Sequence, residues 1–188
     1  MFHSVVDTKE QVYSQFAITK DSFERFIAHL VKKGNVAMDA DLLYKAIEHP
    51  SNYKHHYCIT FDDIYDSVYT NAYPLLKKYN IPFVVFVTDE LVDKVDPCSK
   101  LPMITESHLR EMLPDPLCIL ASHGMEHKMF RNYTHAEAVK ALVDSKRILA
   151  EKYGREVEIF AFPFGRRVEV GNDAIRCVKE AGYKYGFS

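Results

Sequence analysis

The sequence has no tryptophan, almost no net charge and no long apolar run, and these absences narrow what the chain can be. No apolar stretch approaches about 18 residues, so we expect no membrane span. The first residues lack a charged segment followed by a long apolar core, so we expect no signal peptide and a cytoplasmic location. A formal charge of −2 argues against a nucleic-acid surface or a basic membrane patch. A neutral or mildly polar partner fits better.

The four cysteines show no paired spacing, and the chain has no internal repeat or low-complexity segment. No CxxC motif is present, so in a cytoplasmic chain we interpret these residues as free thiols: Cys58, Cys98, Cys118 and Cys177. A chain of 188 residues with 47% hydrophobic content can bury one sizeable core. We therefore expect residues 1–188 to form a single domain.

Strand and helix signals alternate along the chain. Short apolar runs rich in β-forming residues predict strands at 2–6, 57–61, 83–87, 117–121, 159–162 and 183–187. Capping residues and helical spacing predict helices at about 20–33, 39–48, 66–79, 105–112, 134–154 and 172–181. Strands joined by helical crossovers predict a parallel sheet, and therefore an α/β fold.

Three short polar clusters follow three of these strands. They are Thr60-Phe61-Asp62-Asp63, Ser122-His123-Gly124-Met125-Glu126-His127 and Phe162-Pro163-Phe164-Gly165. The carboxyl ends of parallel strands lie on one face of a sheet or barrel, where such folds build active sites. We therefore expect two carboxylates and two imidazoles to meet there.

These residue types predict a metal centre with a base beside it. Histidines separated by three residues fall on one face of a helical turn, where one cation can accept both His123 and His127. An aspartate from another strand end completes a ligand set typical of catalytic zinc. Asp62 and Asp63 would point to opposite faces of a regular strand, so their roles should differ. The alternatives are an accidental histidine pair and an aspartate pair that caps the next helix.

Together the three clusters resemble the motifs of the polysaccharide deacetylase family, also called the NodB-homology domain or family 4 carbohydrate esterases. Residues 60–63 match its TFDD element, His123 and His127 match its histidine pair, and residues 162–165 match the FPFG form of its third motif. The resemblance extends over about 1–188. It implies a distorted, incomplete (β/α) barrel.

The resemblance also implies roles. Asp62 would be the catalytic base, while Asp63, His123 and His127 would bind a divalent metal whose water molecule attacks an N-acetyl group. Zinc is our first expectation, although the same ligands accept Co²⁺, Ni²⁺, Mn²⁺ or Fe²⁺. The expected substrate is an N-acetylated glycan or an amino-sugar precursor, and the product is the deacetylated sugar.

Four further residues are candidates for the site. We expect Phe164 and Pro163, in the third motif, and Tyr65, beside the aspartate pair, to line a substrate groove. His3 matches a family histidine near the site. Its alternative is a buried, hydrogen-bonded histidine with a structural role.

The sequence also departs from the family pattern. Ile64 stands where glycine usually follows the two aspartates, and Ala161 or Phe160 replaces the arginine that often opens the third motif. The sequence ends at Ser188, before the segment expected to carry the family's general acid. Two alternatives therefore stay open: a non-catalytic module that binds metal and sugar, and a metal-dependent hydrolase of a smaller amide. The sequence predicts no oligomeric state.

Overall fold

The structure is a computed structural model that describes the backbone of residues 1–188 and all side chains except those of residues 167, 169, 171 and 172. The chain divides into two compact units. The first contains residues 1–84 and 93–119, and the second contains residues 85–92 and 120–188. A single domain, expected from the length and composition, stays a prediction.

Two short parallel strand pairs and the start of the main sheet belong to the first unit. The strands are β1 (Ser4–Val6), β2 (Ala17–Thr19), β3 (Val36–Ala37), β4 (His56–Tyr57) and β5 (Ile59–Asp62). Strand β1 pairs with β2, and β3 pairs with β4. The amide of Phe2 donates to the carbonyl of Thr60, and the amide of Asp62 donates to the carbonyl of Phe2, each at 2.9 Å. These bonds hold the beginning of the chain beside the end of β5.

The α-helices of the first unit are α1 (Lys20–Lys32), α2 (Ala40–Glu48), α3 (Tyr73–Lys78) and α4 (Glu106–Met112). The side chains of Thr19, Asp39 and Thr105 accept backbone hydrogen bonds at the N-termini of α1, α2 and α4.

The predicted helix over 66–79 is confirmed, since residues 66–78 are helical, but its turns are not all regular. A π-helical segment, Val68–Ala72, comes directly before α3, and Pro74 lies in the first turn of α3. Proline has no amide hydrogen to donate, and its ring clashes with the preceding turn of a regular helix. The π-helical turn before Pro74 is wider than an α-helical turn, so the missing hydrogen bond and the ring of Pro74 are accommodated there.

Aromatic rings pack together in the core of the first unit. Phe61 lies 6.1 Å from both Phe23 and Phe83, measured between ring centroids. All three side chains are fully buried, and burial of one such ring stabilises the fold by about 1.5–3 kcal/mol. Phe26, at the edge of this group, is 38% exposed and packs edge-on against Phe2.

The main sheet continues along the rest of the chain. Its further strands are β6 (Phe83–Val87), β7 (Cys118–Ser122), β8 (Ile159–Ala161) and β9 (Tyr185–Phe187). In the described part of the chain the strand order is β5-β6-β7-β8-β9. The β7–β8 and β8–β9 pairs are parallel. Every residue of β6 is buried, as its unbroken apolar run predicts.

Two long helices belong to the second unit, α5 (His135–Tyr153) and α6 (Arg167–Glu180). The capping box of Thr134 and Glu137 begins α5, and Gly154 ends it with φ of +63°, as predicted. Helix α6 begins five residues before the predicted start, because Arg166 is not a residue type that marks a helix cap.

The cysteines and the lengths of the helices can be compared with what the composition predicts. Among the described residues, none of the four cysteines forms a disulfide, as predicted. None of the helices that the structure describes combines the length and the apolar character needed to span a bilayer.

The capping box of α5 provides a test of the fold. Thr134→Ala removes the side-chain acceptor at the helix N-terminus and should lower the free energy of unfolding by about 1 kcal/mol. Urea unfolding followed by circular dichroism measures this change. Lys140→Ala, on the exposed face of the same helix, is the control and should change stability by less than about 0.5 kcal/mol. Equal effects of the two substitutions would contradict the capping role.

Candidate functional site

The two aspartates lie where β5 ends in a tight turn. Asp62 is the last residue of β5, and Asp63 and Ile64 adopt left-handed backbone conformations with φ of +61° and +52°. The amide of Ile64 donates to the carbonyl of Asp62 at 2.7 Å and closes the turn. The strand is therefore not regular at Asp63, so the alternation that would separate the two aspartates ends there.

Ile64 is strained, and its surroundings hold it in place. A left-handed conformation costs about 1–2 kcal/mol for a residue with a Cβ atom and is unusual for a branched side chain. Ile64 is 1% exposed, and its carbonyl accepts a hydrogen bond from the amide of Ile104 at 3.0 Å. Glycine adopts this conformation freely, which gives a physical reason for the glycine that the family usually has here.

His3 lies directly beside Asp63. Its Nδ1 is 3.2 Å from Oδ2 of Asp63, and its side chain is 18% exposed. The ring stacks on Phe16 at 4.7 Å between centroids, and the backbone amide of His3 donates to the carbonyl of Phe16. The segment that leads into β2 therefore orients this histidine.

The surroundings of Asp62 favour its neutral form. Burial raises the pKa of Asp62 to about 6, the neighbouring His3 acts against this rise, and the Asp63 carboxylate adds to it. A carboxyl group with a pKa near 6 exchanges its proton near neutral pH, which suits a general base.

In the second unit, His123 follows β7 and is held by two hydrogen bonds. It is 2% exposed, and its backbone amide donates to the carbonyl of Val87 at 2.8 Å. Its Nδ1 lies 3.0 Å from the carbonyl oxygen of Ala161. A carbonyl oxygen only accepts hydrogen bonds, so Nδ1 carries the hydrogen and Nε2 carries the lone pair that a metal ion requires.

A pair of buried serines supports the same strand end. The hydroxyl oxygens of Ser122 and Ser145 are 2.8 Å apart, and the amide of Gly124 donates to the Ser122 hydroxyl at 3.1 Å. Ser145 lies on α5, so this helix fixes the position from which the chain leaves β7.

The prediction that a helical turn carries His123 and His127 is wrong. The structure assigns no helix to the described residues 123–129. Gly124 has a φ of +93°, which a right-handed helix does not allow, and the amide of Lys128 donates to the carbonyl of Glu126 in a tight turn. A loop instead brings the rings of His123 and His127 to 5.5 Å between centroids.

The third polar cluster places an exposed ring beside His127. The ring of Phe164 is 4.5 Å from that of His127, and Phe164 is 43% exposed with a φ of +62°. Pro163 is buried and lines a small cavity with Gly124 and Met125. Phe164 therefore has the exposure that a substrate-lining residue needs, and its role stays a prediction.

Tyr65 has a different environment. It is 5% exposed, its hydroxyl donates to Oδ2 of Asp96 at 3.0 Å, and its ring lies 5.5 Å from that of Tyr13. Burial raises its pKa, so the hydroxyl keeps its hydrogen. A contact between Tyr65 and a substrate stays a prediction.

The predicted ligands provide a set of donors that could hold a metal ion. Asp63, in the first unit, offers a carboxylate oxygen, and His123 and His127, in the second, each offer a ring nitrogen. Two imidazoles and one carboxylate are ligands that divalent transition metals prefer, and three protein ligands are typical of catalytic zinc. The donor set therefore fits the metal that the sequence predicts.

The comparisons with known proteins establish the family. The family model described as polysaccharide deacetylase matches residues 50–186. The chain belongs to the polysaccharide deacetylase family.

Among curated proteins, the chain is similar to poly-beta-1,6-N-acetyl-D-glucosamine N-deacetylase of Staphylococcus aureus. The two are 32% identical over 138 residues, which cover 69% of this chain and 46% of that protein. The chain thus spans about half the length of this relative.

Solved structures confirm the fold. IcaB from Ammonifex degensii has a TM-score of 0.82 and 22% identity, over 100% of this chain and 81% of that chain. The Streptococcus pyogenes deacetylase PplD has a TM-score of 0.80 and 21% identity, over 98% and 79%. The predicted α/β fold, an incomplete (β/α) barrel of the NodB-homology type, is confirmed.

The residues that orient the side chains of the candidate site carry no signal in the sequence. Phe16, Ser145 and the carbonyl of Ala161 orient His3 or His123, yet each is distant in the sequence from the residue that it orients. Asp96, the acceptor for Tyr65, is also far along the chain. No local pattern marks such partners.

The raised pKa of Asp62 predicts how stability depends on pH. In the metal-free protein, the folded chain keeps this proton up to about pH 6, whereas the unfolded chain loses it near the ordinary value of 3.8. Asp62 therefore lowers the free energy of unfolding as the pH rises from about 4 to 6, and this loss of stability is complete above that range. Allowing for its partial exposure, the loss is roughly 2 kcal/mol.

Asp62→Asn should remove this dependence. We expect the unfolding free energy of the variant, minus that of the wild type, to increase by roughly 2 kcal/mol between pH 4 and pH 7.5. Urea unfolding of chelator-treated proteins at several pH values measures the difference, in which the titration of the other groups cancels. A difference that does not vary with pH would show that burial does not raise this pKa.

Proposed function

We propose that the chain carries the catalytic site of a metal-dependent N-deacetylase, which removes acetyl groups from an amino-sugar glycan or its precursor. The observation that supports this most strongly is the hydrogen bond from Nδ1 of His123 to the carbonyl of Ala161. It fixes the tautomer that presents Nε2 as a ligand, in a chain that belongs to the polysaccharide deacetylase family.

Asp63, His123 and His127 would hold the cation, and zinc is the first candidate. A divalent cation bound there would supply Lewis acidity, which lowers the pKa of a water molecule and polarises an acetamide carbonyl. The buried position of His123 and the low exposure of Asp63 limit competition from bulk water for these donors.

Asp62 would act as the base. It lies next to the proposed ligand Asp63, and its raised pKa means that it can accept a proton from the attacking water and pass it on near neutral pH. The strained turn at Asp63 and Ile64 would allow adjacent aspartates to serve the same site in different roles.

We further propose that His3 donates the proton that the leaving amine needs. Its Nδ1 is within 3.2 Å of the Asp63 carboxylate, and the stack on Phe16 orients its ring. Its partial exposure would allow it to recover a proton from solvent after each turnover. A histidine in this position, just before β1, can therefore act as the general acid.

The expected substrate is an N-acetylglucosamine polymer or oligomer. The Staphylococcus aureus relative is named for poly-beta-1,6-N-acetyl-D-glucosamine, and the exposed ring of Phe164 beside His127 offers an apolar face on which a sugar ring could stack. Phe164 and Pro163 are therefore the first candidates for substrate contacts, and Tyr65 would contribute through its backbone.

Substitutions at the two aspartates separate their roles. Asp62→Asn should keep bound metal and reduce turnover by about 10²-fold or more, because it removes the base and leaves the ligands. Asp63→Asn should lose metal affinity, because it removes a charged ligand. Metal content by mass spectrometry, combined with acetate release from an N-acetylglucosamine oligomer, measures both. The reverse pattern would show that the roles are exchanged.

Replacement of His3 tests the proposed acid. His3→Ala should slow hydrolysis of an acetamide by about 10²–10⁴-fold and slow hydrolysis of an activated acetyl ester much less, because that leaving group needs no proton. His29→Ala, at an exposed histidine on α1, is the matched control and should leave both rates unchanged. An equal loss on both substrates would mean that His3 only positions Asp63.

A further inference from the structure

A second group of metal-ligating side chains lies on helices α5 and α6. His135 is the first residue of α5, and Asp173 and Cys177 are one helical turn apart on α6. Nδ1 of His135 is 3.0 Å from Oδ2 of Asp173 and 3.3 Å from Sγ of Cys177. One ligand atom from each residue lies within 4.8 Å of the other two. This cluster shares no residue with the site described above.

Glu180 orients the imidazole of this cluster. Its Oε2 lies 2.8 Å from Nε2 of His135. An ionised carboxylate only accepts hydrogen bonds, so Nε2 carries a hydrogen and Nδ1 is the nitrogen directed at Asp173 and Cys177. Histidines that bind metals commonly donate their other nitrogen to a carboxylate in this way, which fixes the ring and makes it a better ligand.

The distances in the cluster are close to those of a zinc site. With bonds of about 2.0–2.1 Å to nitrogen or oxygen and about 2.3 Å to sulfur, tetrahedral geometry separates neighbouring ligand atoms by roughly 3.3–3.6 Å. The separations of Nδ1 from the carboxylate oxygen and from the sulfur, 3.0 Å and 3.3 Å, are shorter by only a few tenths of an ångström. Small rotations of exposed side chains would accommodate the ion.

Protons occupy the position that a cation would take. Hydrogen bonds to Asp173 and Glu180 raise the pKa of His135, and burial raises the pKa of the Cys177 thiol. The Asp173 carboxylate, 3.0 Å from Nδ1 of His135, accepts the hydrogen that this nitrogen carries. A cation would replace these protons.

The cluster is also accessible to an ion. A cavity of about 210 Å³ is lined in part by His135, Asp173 and Cys177. Cys177 is 1% exposed, whereas the side chain of Asp173 is 55% exposed. An ion could therefore enter at the carboxylate and reach the buried sulfur.

We propose that His135, Asp173 and Cys177 form a second divalent-cation site, which prefers zinc to magnesium or calcium. A thiolate and an imidazole are ligands for zinc, while magnesium and calcium prefer oxygen. Binding transfers one proton from Nδ1 of His135 and one from the Cys177 thiol to the solvent, and the carboxylate of Asp173 is already ionised. Bonds from the metal to nitrogen, sulfur and oxygen replace the hydrogen bonds.

Arg176 is the cation that now competes for this cluster. Its guanidinium lies 2.5 Å from Oδ1 of Asp173 and 3.3 Å from Nδ1 of His135. The side chain is 62% exposed, so it can turn towards solvent when an ion binds. Arg176→Ala should therefore strengthen metal binding severalfold, because it removes a neighbouring positive charge.

Titration with Co²⁺ tests the proposal. Absorption from thiolate-to-cobalt charge transfer reports this cluster selectively, because Asp63, His123 and His127 contain no sulfur. The wild type should show this absorption, and Cys177→Ser should lose it. His135→Ala should weaken binding by at least 10-fold, and Glu180→Ala should weaken it by about 10–100-fold. Cys98→Ser, at an exposed cysteine, is the matched control and should behave as the wild type.

Two further measurements make the result decisive. A His123→Ala variant should retain the sulfur absorption, which separates this site from the proposed catalytic one. Metal addition should release protons, because the cation displaces hydrogens from Nδ1 of His135 and from the Cys177 thiol, and affinity should rise with pH. Circular dichroism verifies that each variant is folded, and His135→Ala serves if the buried Cys177→Ser does not fold. No sulfur absorption in the wild type, or its persistence in folded Cys177→Ser and His135→Ala, would overturn the proposal.

Discussion

The candidate catalytic site depends on one hydrogen bond, from Nδ1 of His123 to the carbonyl of Ala161. The acceptor is the last residue of β8, so a strand of the sheet determines which nitrogen of the imidazole carries the lone pair. The burial of His123 and the Ser122–Ser145 contact limit the movement of the ring. A ligand that is oriented before the ion arrives loses little conformational entropy on binding.

A strained turn at the end of β5 positions the two aspartates, as the hydrogen bond to Ala161 positions His123. Asp63 and Ile64 adopt left-handed conformations, and the burial of the Ile64 side chain maintains them. Backbone strain of this kind persists only where surrounding contacts stabilise it, and it occurs often at functional sites. The same turn holds Asp63 next to His3 and leaves Asp62 in surroundings that raise its pKa. Local geometry thus gives neighbouring aspartates different properties.

The sequence predicts the main elements well because their signals are local. The capping box at Thr134 and the apolar run at 83–87 identify α5 and β6 directly. The short strands β2, β3 and β4 contain too few residues to show a pattern. The conformation of the His123 loop and the contact of His3 with Asp63 depend on tertiary packing, which no local pattern encodes. The resemblance of three motifs predicted the family and the candidate ligands, but it did not predict the residues that orient them.

We propose that a divalent cation bound by Asp63, His123 and His127 enables N-deacetylation. The most direct test of this proposal is acetate release from a β-1,6-linked N-acetylglucosamine oligomer, measured after chelation and again after addition of stoichiometric Zn²⁺. We expect chelation to abolish release and zinc to restore it. Release that is unchanged by chelation would show that the reaction needs no metal, and absence of release from protein that has bound the metal would show that this site does not catalyse it.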